Sequence, residues 1–278
     1  MLFRSEDELK GVGKRSCERT NEFLDRYLAQ HHGIFASQPA GRSVKFSGLI
    51  RRLALSCLVD GDHSDTAQHY REERELDGPP LRAEGRLAAL DRFVEGLKPK
   101  HPPEGEREQA RLRLREGIYQ ACRNRELGPS ERIVACDSPV GTGKTTAVMA
   151  HLLRTAAQRG LRRVFVVLPF TNIIDQSVDV YRRALVLPGE DPEAVVAAHH
   201  HRVEFAGEDW RDLRQLAQRW EAPIVVTTAV QFFETLAANH TVPLRKLHQV
   251  PGSAIFVDEA HAAMPAPLWP QEWRWMRE

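Results

Sequence analysis

The chain has 278 residues, of which 42% are hydrophobic and 28% charged. This length corresponds to about two domains of roughly 150 residues, and the composition excludes a collagenous, fibrous or mainly unfolded protein. Lysine and arginine number 39 against 38 acidic residues, which gives a formal charge of +1. Any contact with nucleic acid therefore has to rely on local patches of charge, because no overall positive field attracts phosphates.

The four cysteines, Cys17, Cys57, Cys122 and Cys136, show no CxxC spacing. We therefore expect neither a disulfide framework nor a zinc cluster, and we predict a reducing compartment, the cytoplasm. The amino terminus, MLFRSEDELKG, carries charges where a signal peptide needs apolar residues. No later stretch approaches the ~20 apolar residues that span a bilayer, so we predict no membrane association.

Apolar residues before residue 98 recur at helical spacing, without a competing strand pattern. The three stretches lie at 23–28, 49–58 and 87–97. The next stretch, KPKHPPEGERE, concentrates proline, glycine and charge, which is typical of a linker. We predict a helical domain over 1–97, a linker over 98–108 and a second domain over 109–278.

The second domain begins with a helix predicted at about 107–124 and contains four short apolar runs. These runs are IVAC at 133–136, VFVVL at 164–168, IVVTT at 224–228 and AIFVD at 254–258. They are rich in valine and isoleucine, do not alternate with polar residues, and are separated by helical stretches. This pattern predicts an α/β layer of parallel strands covered on both faces.

The first predicted strand leads into the segment CDSPVGTGKTT, residues 136–146, and then into a helical stretch that continues to about residue 158. Gly141 and Gly143 permit backbone angles that side chains forbid, so successive N–H groups can point at phosphate oxygens. The helix that follows presents its positive amino terminus to the same anion. The segment therefore predicts a phosphate-binding loop, and the alternative is a glycine turn that binds nothing.

The predicted phosphate contacts extend along the whole loop. They are Ser138, Pro139, Val140, Gly141, Thr142, Gly143, Lys144, Thr145 and Thr146. Lys144 is expected to reach the β and γ phosphates, and the Thr145 hydroxyl is expected to hold Mg²⁺. The strict GxxxxGK[ST] pattern has glycine at the position of Ser138, where a small residue suffices.

The fourth predicted strand ends in Asp258-Glu259-Ala260-His261. Hydrolysis of Mg-ATP needs one carboxylate for the metal and a second one to orient and deprotonate water. We predict that Asp258 binds the metal and that Glu259 activates the water, which makes Lys144, Asp258 and Glu259 the predicted catalytic residues. The alternative is an acidic turn on the surface.

The letters DEAH, together with the SPVGTGKT form of the loop, resemble the ATP sites of superfamily-two helicases. The resemblance implies an α/β fold with a RecA-like parallel sheet and helices on both faces, as in the first motor lobe. It also implies that His261 couples the ATP site to a facing lobe. No base-recognition element is evident, and Arg115 and Tyr119 are the candidates for it.

Two further stretches are similar to the nucleic-acid segments of such motors, LPFTNIIDQ at 168–176 and TTAVQFF at 227–233. The resemblance implies backbone contacts from Pro169, Thr171, Asn172, Thr227 and Thr228. Hydroxyls, an amide and helix amino termini bind phosphates without reading bases. The alternative for Thr171 and for Thr228 is that each only caps its helix.

The stretch LSCLVDGDHSDTA, residues 55–67, resembles the end of the HD-type nuclease domain in the helicase–nuclease of type I CRISPR systems. The resemblance implies an all-α C-terminal part of an HD domain ahead of the motor, with Asp62 as its last metal-ligating aspartate. His31 and His32 resemble a paired-histidine element of such domains. The alternative is a solvated helix end. A tandem triplet, His199–His201, is expected to be exposed, without a metal.

The family's His-Asp pair would lie upstream of Met1, so we expect no nuclease activity from this chain. A divalent transition metal is expected only in the intact HD domain. A second motor lobe, with its arginine finger, is also expected to be missing. Such fingers contribute about 10³ to 10⁵ in rate, so the isolated chain is expected to hydrolyse ATP poorly.

The leading hypothesis is a fragment of a CRISPR-associated, ATP-dependent DNA helicase–nuclease that unwinds and degrades foreign DNA. Its expected cofactors are ATP and Mg²⁺, and its expected partners are single-stranded DNA and the CRISPR surveillance complex. One alternative is a DEAH motor from a restriction or RNA-remodelling system. The other is a nucleotide-binding remnant without turnover.

Overall fold

The computed structural model describes residues 48–69, 78–101, 104–139, 141–199, 217–237, 240–263 and 266–277. These residues belong to one compact unit that spans 47–278, while a second unit covers 1–46. The predicted helix at 23–28 and the pair His31–His32 lie outside the described residues.

Four helices precede the sheet in the described part of the chain. They are α1 (Gly48–His69), α2 (Ala83–Gly96), α3 (Glu106–Asn124) and α4 (Lys144–Arg159). The helices predicted within this part of the chain are thereby confirmed.

Strands and helices then alternate. The elements are β1 (Arg163–Leu168), a 3₁₀ turn (Thr171–Ile173), α5 (Ile174–Leu185), α6 (Pro192–Val195), β2 (Val196–His199), β3 (Ile224–Thr228) and α7 (Ala229–Ala237). They continue with α8 (Thr241–Leu247), β4 (Ser253–Val257), α9 (Ala260–Ala263), a 3₁₀ turn (Ala266–Leu268) and α10 (Trp269–Arg277).

The four strands form one parallel sheet in the order β2-β3-β1-β4. Alternate residues of β1 enter two different cores, because successive side chains of a strand point to opposite faces. Val164 and Val166 pack with helices α2, α4 and α5 on one face. Phe165 packs with Trp220 and Phe232 on the other face. The predicted α/β fold, a RecA-like parallel sheet with helices on both faces, is confirmed.

The strand predicted at 133–136 is wrong. These residues have no strand pairing, and the side chains of Ile133 and Val134 are 46% and 37% exposed. A β-branched run becomes a strand only where a neighbouring strand accepts its hydrogen bonds. In the described part of the chain β4 pairs with β1 alone, and no strand pairs its other edge. The short strand β2, by contrast, was not predicted, because its VAAH sequence is poor in β-branched residues.

Helix α1 packs against α8 in the same compact unit as the sheet. The carboxylate of Asp60 is buried and lies 2.8 Å from an Arg219 nitrogen and 3.1 Å from an Arg245 nitrogen. The buried Ser56 hydroxyl donates to the Leu244 carbonyl. Polar groups that are buried together in this way fix one orientation of a helix. The division predicted at 98–108 stays a prediction.

Among the described helices, none combines the length and the apolar character needed to cross a bilayer.

We predict that Asp60→Ala lowers the free energy of unfolding by about 3 kcal/mol, since it removes the buried carboxylate that pairs with Arg219 and Arg245. Urea denaturation followed by tryptophan fluorescence measures the change. The matched control is Asp62→Ala two residues away, because Asp62 is exposed on the same helix. We expect the control to change stability by less than about 0.5 kcal/mol. Equal effects of the two substitutions would contradict the role assigned to Asp60.

Candidate functional site

The loop before α4 has the backbone geometry of an anion site. Gly141 and Gly143 adopt φ angles of 78° and 83°, in the left-handed region that favours glycine. A Cβ atom at Gly141 would also lie 2.9 Å from a guanidinium nitrogen of Arg111. Helix α4 begins at Lys144, directly after this bend, so its amino terminus faces the loop. Both glycines are therefore required by the conformation of the loop.

Internal hydrogen bonds hold the loop in this form. The buried Thr142 hydroxyl lies 2.7 Å from the Pro139 carbonyl, to which it donates, and 3.3 Å from the Ser138 hydroxyl oxygen. Helix α3 adds a bond from outside, because Arg115 Nε donates to the Gly141 carbonyl at 3.0 Å. Ser138, which stands where the strict motif has glycine, thus contributes to the loop's own bonding. Val140 lies outside the described residues.

The centre of the site is a contact between residues that are more than 110 positions apart in sequence. The Lys144 ammonium lies 2.8 Å from Asp258 Oδ1 and 3.2 Å from Glu259 Oε1. Partial burial opposes the charge, but the two carboxylates outweigh it and raise the pKa of Lys144. The loop and the DEAH segment, predicted to form one site, therefore meet at the carboxyl edge of the sheet.

The backbone at Glu259 is held in an uncommon conformation. Its φ angle is 47°, a left-handed value that costs a non-glycine residue free energy. The Glu259 N–H donates to Asp258 Oδ1 at 3.0 Å, and the Glu259 carbonyl accepts from Ala262 at 2.7 Å. This turn directs both carboxylates toward Lys144. The exposed His261 places Nδ1 3.6 Å from Glu259 Oε2, so it adjoins the same cluster.

The donor set suits a magnesium nucleotide. Among the described residues no group of three or more His, Cys, Asp or Glu side chains converges as a metal cage. Mg²⁺ is commonly bound through one or two carboxylates together with substrate phosphates and water, which matches Asp258 beside a phosphate loop. Thr145 lies in the first turn of α4, partly buried. The Thr146 hydroxyl is already used, since it donates to the Gly143 carbonyl at 3.0 Å.

The predicted nucleic-acid residues lie at the same edge of the sheet, because β1 and β3 are parallel neighbours with Leu168 opposite Thr228. Asn172 is exposed in the 3₁₀ turn that follows β1 and begins at Thr171, and Pro169 is partly buried. The Thr228 hydroxyl accepts from the Gln231 N–H at 3.2 Å, so it caps α7, which was one of the expected alternatives.

Thr227 has a different place from its neighbour. Its side chain is fully buried, and its hydroxyl donates to the His199 carbonyl at 2.9 Å. It stabilises the pairing of β2 with β3 and does not reach the surface. Within the triplet 199–201, only His199 lies among the described residues.

Sequence reasoning missed Phe170. It is 62% exposed and is the only aromatic residue among the exposed large hydrophobic residues in the described part of the chain. Val230, 60% exposed, follows the adjacent strand β3. An apolar residue that follows a buried strand end and precedes polar residues is the signal that could have identified it. Both positions flank the predicted backbone contacts.

The two candidates for base recognition have structural partners. Arg115 binds the loop carbonyl of Gly141. The buried Tyr119 donates its hydroxyl to Asp91 Oδ1 at 2.8 Å, beside Arg123. Burial and this bond raise the pKa of the Tyr119 phenol above its ordinary value. Asp62, the predicted ligand of the HD-type site, is exposed on α1.

A parallel sheet with a phosphate loop and two acids at its carboxyl edge defines a RecA-like nucleotide-binding lobe. The DEAD/DEAH box helicase family matches residues 120–268, which is more than half of the chain. The chain belongs to the DEAD/DEAH box helicase family. Membership in this family implies the use of ATP and of a divalent metal.

One similar protein is the CRISPR-associated nuclease/helicase Cas3 of Haloferax volcanii. It is 25% identical over 209 residues, an alignment that covers 66% of this chain and 22% of that protein. The chain thus spans about a fifth of the relative's length. The resemblance to CRISPR helicase–nucleases, noted from the sequence, is confirmed.

We predict that Lys144→Ala weakens binding of Mg-ATP by at least about tenfold, because a charge-assisted hydrogen bond to phosphate is lost. Isothermal titration calorimetry measures the affinity. The matched control is Lys98→Ala, since Lys98 also bridges two carboxylates, at 2.7 Å from Glu95 and 2.9 Å from Glu116, but lies outside the loop. Unchanged affinity in Lys144→Ala, or an equal loss in the control, would refute the assignment of the loop.

Proposed function

We propose that this chain is the ATP-binding lobe of a superfamily-two DNA helicase–nuclease that acts in CRISPR defence, where it unwinds and degrades foreign DNA. The observation that carries the proposal is the convergence of Lys144 with Asp258 and Glu259 at the carboxyl edge of a parallel sheet. Family membership and the similarity to a CRISPR-associated nuclease/helicase support it. We place the protein in the cytoplasm.

Each residue of the site has a distinct task in this proposal. Mg²⁺, when bound, neutralises charge on the phosphates. The loop N–H groups and the amino terminus of α4 bind the phosphate oxygens. Lys144 exchanges its carboxylate partners for phosphate, which leaves Asp258 and the Thr145 hydroxyl to hold the metal. Glu259 then orients water and accepts its proton, and the left-handed turn at Glu259 keeps its carboxylate beside Asp258.

The strand contacts lie beside the ATP site because both occupy the same edge of the sheet. Pro169, Thr171 and Asn172 would bind the backbone of single-stranded DNA without reading its bases, whereas the buried Thr228 keeps its role as the cap of α7. Phe170 adds an exposed aromatic face between them, on which a base can stack. His261, next to Glu259, would transmit the state of the ATP site to a second lobe.

The link to CRISPR defence rests on the relative's name and on the matched residues. From the same similarity we also propose that the protein acts together with a CRISPR surveillance complex. We also propose that α1 is part of an HD-type nuclease domain. In the intact domain, Asp62 would be a ligand of a divalent transition metal.

We predict that Glu259→Gln binds Mg-ATP as the unchanged chain does but hydrolyses it about 100-fold more slowly, because a general base contributes about 10² to 10⁴ in rate. A single-turnover assay with excess protein, with and without single-stranded DNA, measures even slow hydrolysis. In the unsubstituted chain, single-stranded DNA is expected to stimulate the hydrolysis of ATP. Tight binding of Mg-ATP without any hydrolysis in that chain would instead favour a nucleotide-binding remnant.

We predict that Phe170→Ala weakens binding to an oligothymidine strand by about tenfold, since stacking on an aromatic side chain is worth about 1–3 kcal/mol per base. Fluorescence anisotropy measures the affinity. An abasic strand of the same length is the control, because it keeps the phosphates and lacks the bases, and its affinity should not change. Phe170→Tyr should retain binding. Equal losses on both strands would contradict base stacking.

A further inference from the structure

Two cysteines that are separate in sequence lie next to each other in the fold. Cys122 is in the last turn of α3, and Cys136 lies two residues before Ser138, where the phosphate loop begins. Their sulfur atoms are 3.9 Å apart. Cys136 is exposed to solvent and Cys122 is half-buried. The pair cannot be recognised from the sequence alone, because its members are 14 positions apart and show no CxxC spacing.

The cysteine on α3 is the fixed member of the pair. The neighbouring Arg123 makes two bonds of 2.8 Å to the carboxylate of Asp91 on α2. The Cys122 carbonyl lies 3.2 Å from His151 Nδ1 on α4. These contacts tie the end of α3 to two other helices. Cys122 is therefore held in place while its partner approaches.

The other cysteine lies on a segment that can adjust. Residues 133–136 have no strand pairing, and the bonds near them anchor an earlier part of the segment, where Arg159 donates to the Gly128 and Glu131 carbonyls. A disulfide has an S–S length of about 2.05 Å, so the sulfurs, now 3.9 Å apart, need to approach by roughly 2 Å. An unpaired segment can make such a movement without breaking a sheet.

We propose that Cys122 and Cys136 form an oxidation site, at which peroxide produces a reversible disulfide that controls the nucleotide affinity of the adjacent loop. The exposed Cys136 sulfur attacks the peroxide, breaks its O–O bond and becomes a sulfenic acid, while one water is released. The Cys122 sulfur then attacks the Cys136 sulfur, forms the S–S bond and displaces a second water. Two thiols and one hydrogen peroxide thus give one disulfide and two waters.

The chemistry of the two thiols matches this order. Burial and the neighbouring Cys136 raise the pKa of Cys122 to about 11, so it carries little thiolate at neutral pH, reacts slowly with peroxide, and makes its own attack on the Cys136 sulfenic acid the slow step. Cys136 is the accessible member, which suits the first reaction with a small oxidant. In a reducing compartment, disulfides of this kind are transient and serve as sensors.

The disulfide acts on the loop through its first residues. The Thr142 hydroxyl bonds to both Ser138 and Pro139, which follow the segment that has to move after a single intervening residue. Movement of Cys136 toward α3 pulls on these bonds and displaces the N–H groups that bind phosphate. We expect oxidation to weaken binding of Mg-ATP by about tenfold, the effect of losing one charge-assisted hydrogen bond. This effect on affinity rests on the proposed nucleotide site, whereas formation of the disulfide does not.

The first test is chemical. The chain is treated with hydrogen peroxide, digested without reduction and analysed by mass spectrometry. We expect a cross-linked peptide pair that contains Cys122 and Cys136, and we expect it to disappear with dithiothreitol. The control Cys57→Ser, which changes an exposed cysteine on α1, should form the same cross-link. Absence of this cross-link in the unchanged chain, or a link to Cys57 instead, overturns the proposal.

The second test is functional. Isothermal titration calorimetry measures the affinity of the reduced, the oxidised and the re-reduced chain for Mg-ATP. The same series of measurements is made on Cys122→Ser. We expect weaker binding only after oxidation of the unchanged chain, with full recovery on reduction. A cross-link without a change in affinity overturns the proposal that the disulfide controls nucleotide binding by the loop. If the reduced chain fails to bind Mg-ATP at all, the proposed function fails, and the cross-link alone decides whether the oxidation site exists.

Discussion

The contact of one ammonium group with two carboxylates organises the site, and the register of the sheet makes it possible. Asp258 continues directly from β4, and its N–H donates to the Val167 carbonyl of the neighbouring strand at 2.9 Å. The acid is therefore fixed relative to β1. Helix α4 packs on the same sheet and presents Lys144 from its first turn. Since the sheet holds the backbones of both partners, only their side chains have to be ordered to form the ion pair.

The sheet and, within the candidate site, the conformation of the loop were largely predictable because their signals are local and strong. Continuous apolar runs separated by helical stretches predict parallel strands, and the glycines of a phosphate loop predict its conformation directly. The prediction failed at 133–136 because pairing is not a local property: the same residue types form a strand at 224–228, where β1 and β2 lie on both sides. Thr227 illustrates the same limit, since burial of its hydroxyl depends on β2, which the sequence did not reveal.

The buried carboxylate of Asp60 fixes the position of α1 on the rest of the fold, and no sequence motif indicates this. Asp60 and Asp62 stand two positions apart, and roughly 200° of helix rotation separates their side chains. One carboxylate is consequently enclosed with Arg219 and Arg245, and the other faces solvent. The sequence motif points to Asp62, which is exposed, whereas Asp60, which is buried, makes the contacts with the rest of the fold. Only the positions of the two distant arginines distinguish these acids.

A chain with a formal charge of +1 can still attract a polyanion, because its charges are distributed unevenly. Helix α3 carries Arg111 and Arg115 on the side that faces Gly141, and α4 adds Lys144 at the same bend. Three cations thus lie at the loop, and the carboxylates of Asp258 and Glu259 contact one of them, Lys144. The same helix thus supplies positive charge, a hydrogen bond to the loop and the thiol beside Cys136. In the proposed site, a displacement of α3 relative to the loop would therefore change phosphate binding through both charge and geometry.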